Sequence, residues 1–310
     1  MGLTNFPNGV ASFGVPVLPP VEPGLTTGSI FFVCNATNAN GSNGNPGTPT
    51  SPFATIDYAI GRCAANHGDV IYVMPGHNEG LGDAQIAVDV AGVSIIGLGS
   101  GSSRPRIDFD HANASIDISA NSCTLSNLRL LPSVTDVLIG IDVMAAVTDT
   151  TLNDLEALPG EDGAGVDDFA LTIDIKAGCT RMRIRRFKQQ QHASAAGYLA
   201  AIRLTGASDD VFIDEPDVVI KGVGAIAAIN GITTLSTNLR IRNACLVTDA
   251  EPGIEMLTGT TGVIQDTDIF ADLATIAAAT VADGMAHFRV RYVEVGNESD
   301  AVVKTASIDD

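Results

Sequence analysis

The sequence predicts an all-β chain wound into a parallel β-helix, a solenoid of short strands, and three observations carry that reading. Apolar-X-apolar triplets recur as Val88-Asp-Val90, Ile116-Asp-Ile118, Ile141-Asp-Val143, Ile173-Asp-Ile175 and Ile202-Arg-Leu204, then less cleanly as Ile229-Asn-Gly231 and Ile254-Glu-Met256. Their spacing runs from 25 residues (116 to 141) to 32 (141 to 173), the period of a coil built from short strands and Gly/Asn/Asp turns. Each triplet is followed by a turn and a second apolar run, among them Leu125-Ser-Asn-Leu128, Met182-Arg-Ile184, Val211-Phe-Ile213 and Leu239-Arg-Ile241. The composition agrees. The 310 residues are 45% hydrophobic but only 5% aromatic, with no Trp, so small and β-branched side chains must fill thin stacked coils. Two average domains would also fit the length, but one elongated solenoid suits this repeat better. Roughly seven or eight coils at ~4.8 Å per strand would make a rod about 35–40 Å long.

Taken in order, residues 1–27 hold prolines at 7, 16, 19, 20 and 23 and glycines at 2, 9, 14 and 24, which argues against regular structure. The segment is nonetheless apolar, through Leu3, Phe6, Val10, Phe13, Val15, Val17 and Leu18. A solvated tail would be polar. We therefore read it as an extended arm that anchors in a groove on another subunit, with prolines lowering its ordering cost; the alternative is an arm folded back over its own coils. Next comes Gly28-Ser-Ile-Phe-Phe-Val-Cys34, a strand, and a Gly/Asn/Thr/Pro loop to Ser51. Ser51-Pro52 should open a short helix over Phe53-Ala-Thr-Ile-Asp-Tyr-Ala-Ile60, and Gly68-Asp-Val-Ile-Tyr-Val-Met-Pro-Gly76 reads as a strand and turn.

Those residues, Pro52-Phe-Ala-Thr-Ile followed by Gly68-Asp-Val-Ile-Tyr-Val with Pro75-Gly76, resemble the first turn of right-handed parallel β-helix proteins of the pectate-lyase-like superfamily. The resemblance implies a right-handed coil with a short helical cap at its N-terminal mouth. It implies fold more than function, because that fold carries both sugar-cleaving enzymes and inert virion parts. The N-terminal eighty residues as a whole resemble β-helix proteins of tailed bacteriophages and prophages that serve as virion surface components. The expected organisation is an arm over 1–27, a parallel β-helix over 28–283, and a C-terminal strand and tail over 284–310, where Phe288 to Val295 alternate cleanly.

The net charge is −19, from 36 acids against 17 Lys+Arg. Such a surface repels nucleic acid and anionic lipid, and disfavours acidic polysaccharide unless a basic cleft exists. Five cysteines, at 34, 63, 123, 179 and 245, are odd in number, widely spaced and apolar in setting, as expected of reduced, buried thiols. Cys123 and Cys179 are both read as standing just before a second strand in an inward stack. Met1-Gly-Leu-Thr-Asn-Phe-Pro lacks a signal peptide's basic and apolar regions, and no run reaches the length of a membrane span.

The middle residues of the triplets, Asp89, Asp117, Asp142 and Asp174, then Arg203, Asn230 and Glu255, should form an outward column if the coils stack in register. β-helix hydrolases place paired carboxylates on such a face and β-helix lyases use acids there to hold Ca²⁺. The sequence shows no Arg or Lys base among these acids and offers four Tyr and no Trp as sugar platforms. A solvated acidic face is the favoured reading, and no catalytic residue is assigned. His67, His77, His111, His192 and His287 show no metal or triad spacing, and no metal or other cofactor is expected. Gly97-Leu-Gly-Ser-Gly101 lacks the Lys-Ser/Thr ending of a phosphate loop and reads as a turn. Arg181, Arg183, Arg185, Arg186 and Lys188 are the one basic concentration. A subunit contact is the favoured use for them, ahead of a grip on phosphate or an anionic glycan.

Together these features lead to the expectation of a non-enzymatic virion protein assembled in the host cytoplasm and displayed on the virion surface. It would be a capsid decoration (cement) protein, a homotrimer bound to the major capsid protein through its arm. The alternative is a tailspike-like polysaccharide depolymerase or receptor-binding protein directed at a host surface glycan.

Overall fold

The computed structural model describes residues 11–12, 15–16, 26, 28–36, 39–160, 167–190, 199–220, 227–231, 233–248, 253–271, 285–294 and 303–305. It is a β-solenoid whose coils each contribute to up to three parallel ladders. The first ladder stacks Ile30–Val33, Val70–Val73, Ser94–Gly97, Thr124–Ser126, Thr151–Asn153, Arg183–Arg185, Phe212–Asp214 and Leu239–Arg242. The second stacks Asn78–Gly80, Arg106–Phe109, Arg129–Pro132, Glu156–Ala157, Lys188–Gln190, Asp217–Ile220 and Cys245–Thr248. The third stacks Gln85–Val88, Ser115–Ile118, Ile141–Val143, Leu171–Ile175, Ala200–Leu204, Ile229–Gly231 and Ile254–Met256. These seven strands bound six full turns. The C-terminal end is built differently. Gly262–Ala271 continues the first ladder with its first half and the second with its second half. Met285–Glu294 pairs with it along its whole length, so the C-terminal strand is a further layer of the same sheet. Val303–Thr305 then folds back antiparallel on Arg291–Val293.

The core is a set of in-register apolar columns. Ile86, Ile116, Ile141, Ile173, Ile202, Ile229 and Ile254 stack along the third ladder, each at most 2% exposed. Ile71, Ile95, Leu125, Leu152, Ile184, Ile213 and Ile241 do the same along the first. Each such side chain contributes about 1.5–3 kcal/mol on burial. The one buried aromatic pair, among the described residues, is Phe109 against Phe169, edge to face at 5.0 Å.

Two corners are as regular as the strands. Between the first and second ladders, Asn127, Asp154, Arg186, Glu215 and Asn243 all adopt positive φ, between 50° and 58°. Each sends its backbone N–H to a carbonyl of the following coil, those of Asn153, Arg185, Asp214, Arg242 and Gln265. Between the third and first ladders, Ser122, Asp149, Arg181 and Asp210 repeat that geometry. Asn and Asp tolerate this left-handed region best. The arginines there are held by carboxylates of the preceding coil: Arg186 by Asp154 and Arg181 by Asp149, each through two bonds of 2.6–2.9 Å.

The N-terminal mouth departs from expectation in one detail. The helix spans Ile56–Ile60 and opens at Thr55, whose hydroxyl accepts from the Tyr58 N–H, rather than at Ser51-Pro52. Phe53 is occupied instead as a bridge partner of Val33 and an aromatic neighbour of Phe31 and Tyr58. Of the arm, Ala11–Ser12 pairs antiparallel with Val15–Pro16, a short regular element where none was expected. Leu3, Phe6, Val10, Phe13, Val17 and Leu18, and the side chain of Val15, lie outside the described residues.

Candidate functional site

The register of the third ladder assembles the outward column and revises its membership. Ala87, Asp117, Asp142, Asp174, Arg203, Asn230 and Glu255 are successive partners. Asp89 is not among them. It follows the strand Gln85–Val88 and is exposed, because the first coil places Ile86 and Val88, not Val88 and Val90, in the core columns.

The column is not a solvated face. Asp142 is 6% exposed, Asp174 1% and Asn230 1%, so the carboxylates point away from the core yet are covered by neighbours on their own face. Lys176, two residues beyond Asp174 and therefore on the same side of the strand, reaches back to Asp142 with Nζ 2.7 Å from Oδ2. Arg203 donates to both oxygens of Asp174, at 3.2 and 3.3 Å, and the Thr205 hydroxyl donates to it as well. The Ser115 hydroxyl donates to Asp117 at 2.6 Å. The expectation that no base sits among the acids is thus overturned by Lys176, while Arg203, already a member of the column, pairs with Asp174.

Asp142 is the unusual member. Its Oδ1 is buried with no hydrogen-bond partner among the described residues. Burial raises its carboxyl above the usual range, Lys176 opposes this, and the charges of Asp174 and Asp117 add to the rise. Glu255, at the far end of the column, is also pushed up by burial. The Asn230 amide nitrogen is likewise buried and unpartnered. Chemically, this is a carboxyl shifted toward its neutral form by burial, beside an amine and between two carboxylates. No group of three or more His, Cys, Asp or Glu among the described residues has the geometry to hold a metal ion.

The basic concentration is distributed over two corners and two faces. Arg181 is paired with Asp149, Arg183 with Asp210, and Arg186 with Asp154. The Arg181 guanidinium holds the exposed Asp149 carboxyl down at about 2. Arg185 and Lys188 are exposed and make no ion pair among the described residues. Arg183 and Arg185 border Phe212 and Asp214 on the next strand, which in turn border Arg240 and Arg242. Both of the latter guanidinium groups lie over the Phe212 ring, at 5.1 and 5.0 Å, a favourable cation–π arrangement.

His67, His77 and His111 each have a carboxylate partner, against expectation, while His192 and the side chain of His287 lie outside the described residues. His67 Nδ1 lies 2.6 Å from Asp69. His111 Nδ1 lies 3.0 Å from Asp83, while Asp108 pairs with Arg106, so the Asp108–His111 run forms no dyad. His77 is fully buried, accepts the Asn35 N–H at Nδ1 and faces Glu79 through Nε2 at 3.0 Å. The same Glu79 oxygen accepts the N–H of Ile56, the first residue of the helix. Glu79 is in register with Ile107 and points inward. The group is a buried lock on the N-terminal mouth.

All five cysteines are free, and Cys34, Cys123 and Cys179 are buried. Cys123 and Cys179 do not share a column, however. The strand that follows Cys123 pairs through Thr124 with Thr151, which pairs with Arg183, so Cys123 is level with Thr150 and Met182. Cys179 precedes the bridge Thr148–Thr180 and is level with Val147. Gly97 to Gly101 forms the expected turn, ending in a 3₁₀ turn over Gly101–Ser103. No described helix is long and apolar enough to cross a membrane.

No protein-family model matches the chain, and comparison with curated proteins finds no match. Solved structures do match. A rhamnogalacturonan lyase aligns with a TM-score of 0.65 at 11% identity, over 89% of this chain and 78% of the other. Pectate lyase Pel9A aligns with a TM-score of 0.55 at 12% identity, over 91% and 80%. Geobacillus virus E2 ORF18 aligns at 0.48 and 9% identity, over 78% and 57%, a likeness too low to bear on function. At these identities the comparisons speak to architecture alone: the chain is a parallel β-solenoid of the kind on which those lyases are built.

Proposed function

We propose that the chain is a structural virion protein, a capsid decoration protein that binds the major capsid protein through its N-terminal arm and carries no catalytic activity. The observation that carries this reading is the state of the one charged column that could have been an active site. Lys176 is held by Asp142, Asp174 by Arg203 and Thr205, and Asp117 by Ser115. The Lys176–Asp142 and Arg203–Asp174 contacts stitch one coil to the next, while Ser115 holds Asp117 within its own strand. The resemblance of the N-terminal eighty residues to phage virion surface proteins points the same way. The test is to add purified protein to undecorated capsids and measure their resistance to heat or osmotic shock. A ligand that bridges capsomers and binds only the intact lattice stabilises it by mass action, and several weak grips per oligomer sum to a tight one. Resistance should rise, and deletion of residues 1–27 should abolish binding while leaving the coil folded by circular dichroism. Unchanged resistance despite firm binding would overturn the cement role.

A second reading, a polysaccharide lyase or depolymerase, is favoured by one specific observation: the bare, buried Oδ1 of Asp142 beside Lys176. Such an amine, once released, could take the proton beside a uronate carboxyl. Release of unsaturated sugar from a host glycan, lost in Lys176→Ala, would decide for it.

A further inference from the structure

We propose that the Lys176 amine and the Asp142 carboxyl condense into an intramolecular amide, a covalent staple between neighbouring coils that the chain makes for itself. The inference does not depend on the virion reading, and the ion pair described above is the state before the bond forms.

Such a bond needs a nucleophilic amine, a carboxyl able to turn neutral, and a backbone that holds the two together. Among the described residues, Lys176 is the one lysine in an ion pair. The arginines that make other pairs stay protonated, whereas a lysine amine can give up its proton and attack. The carboxyls differ in the same sense. The arginines beside Asp149, Asp154 and Asp214 hold those carboxyls down. Burial raises Asp142 against the pull of Lys176, and the charges of Asp174 and Asp117 add to the rise.

The contact is built into the ladder. Nζ of Lys176 lies 2.7 Å from Oδ2 of Asp142. Asp142 and Asp174 are register partners, and Lys176 stands two residues beyond Asp174 on the same side of the strand. Its own N–H donates to the carbonyl of Val143, the residue after Asp142, at 3.0 Å. Well-oriented groups within one molecule reach effective concentrations of about 10⁵–10⁸ M, which offsets the surrounding water that opposes condensation of free partners. Oδ1 is buried without a hydrogen-bond partner, so no bond to it has to be given up. The Lys176 side chain is 34% exposed, which leaves the released water a way out.

The step balances without an oxidant, a reductant or a second reactant. Transfer of one ammonium proton to the carboxylate gives a neutral amine beside a neutral acid. The Nζ lone pair attacks Cγ and the C–N bond forms. The C–O bond to the hydroxyl oxygen then breaks, and that oxygen leaves as water, taking its own proton and one more from the nitrogen. The product replaces a buried charge, costly to desolvate, with a neutral amide. It also closes the chain between residues 142 and 176 into a loop, which restricts the unfolded state as other crosslinks do. A lysine so bonded is no longer a base, so conversion withdraws the amine that the lyase reading requires.

The test is the intact mass of the full chain, freshly purified and after ageing at pH 8. Wild type should become lighter by one water in most molecules, and tandem mass spectrometry of a digest should find the segments carrying Asp142 and Lys176 joined. Lys176→Arg, which keeps the positive charge, and Asp142→Ala should hold their full mass while folded by circular dichroism. The urea midpoint of wild type should rise on ageing and that of Lys176→Arg should not. A folded wild type that keeps its full mass overturns the proposal. So does a lost water that persists in Lys176→Arg, or one that maps to Asp162-Gly163 or Asp283-Gly284, where a succinimide forms without any lysine.

Discussion

Replacing Asp142 by Asn should stabilise the fold, while the same change at its neighbour Asp174 should damage it. Asp142 is 6% exposed and, among the described residues, its Oδ1 has no partner and its one ion pair is to Lys176, whose side chain is 34% exposed. A pair with one solvated member is worth about 0–1 kcal/mol. Against it stand two carboxylates on adjacent strands. At ~4.8 Å and an effective dielectric of ~20, each repels by about 3 kcal/mol before Lys176 and Arg203 offset it. The amide keeps an acceptor for Lys176 and removes the charge, so a net gain of about 1 kcal/mol is expected. Asp174 is 1% exposed and takes both oxygens' bonds from Arg203 and a third from Thr205; losing that charge-assisted set costs about 2–3 kcal/mol. The pH dependence follows with a definite sign. Because the folded Asp142 carboxyl lies above its unfolded value, the folded state holds that proton more tightly, and its share of stability falls as pH rises through the interval between them. Asp142→Asn should therefore exceed wild type by more at pH 7 than at pH 4. Urea unfolding followed by far-ultraviolet circular dichroism at both pH values reads this out. A loss above about 1 kcal/mol in Asp142→Asn, comparable to that in Asp174→Asn, would refute the argument.

At the N-terminal mouth, Glu79→Ala should cost about 3–5 kcal/mol by stranding the Ile56 N–H and the buried His77, whereas Glu79→Gln, which keeps an acceptor, should cost about 1; hydrogen exchange of Ile56 and its helix would locate the loss. Phe169→Ala removes one ring of the buried edge-to-face pair with Phe109 and should lower unfolding stability by about 3–5 kcal/mol. A loss below about 1 kcal/mol would mean that the coil collapses around the gap. Thiol alkylation of the native protein at pH 8 should be slow at all five cysteines, since three are buried and burial pushes Cys63 up to about 12 and raises Cys245. Rapid labelling of Cys63 before unfolding would contradict that placement.

The coil, its strands and its core columns were legible in the sequence because a stacked fold repeats a local pattern. Ile116, Ile141, Ile173 and Ile202 are inward in every coil, and period-two alternation marks them without any knowledge of partners. Register was legible only where the triplets are unambiguous. In the first coil Ile86-Ala-Val88 and Val88-Asp-Val90 fit equally well, and hydrogen bonding to Ser115–Ile118 chose the former, leaving Asp89 outside the column. Burial of the column was not legible at all. Alternation says that Asp142 and Asp174 point away from the core, but whether water reaches them depends on Lys176, Arg203 and Thr205 closing over them from other coils. The carboxylate partners of His77 and His67 stand only two residues away, yet their contact depends on the bend of the chain after each histidine. Sequence periodicity determines which side of a strand a residue occupies, since that is set by the backbone of its own segment. What lies against that side is decided by chain 25 to 35 residues distant, as Lys176 to Asp142 is by 34, and only the tertiary structure brings the two together.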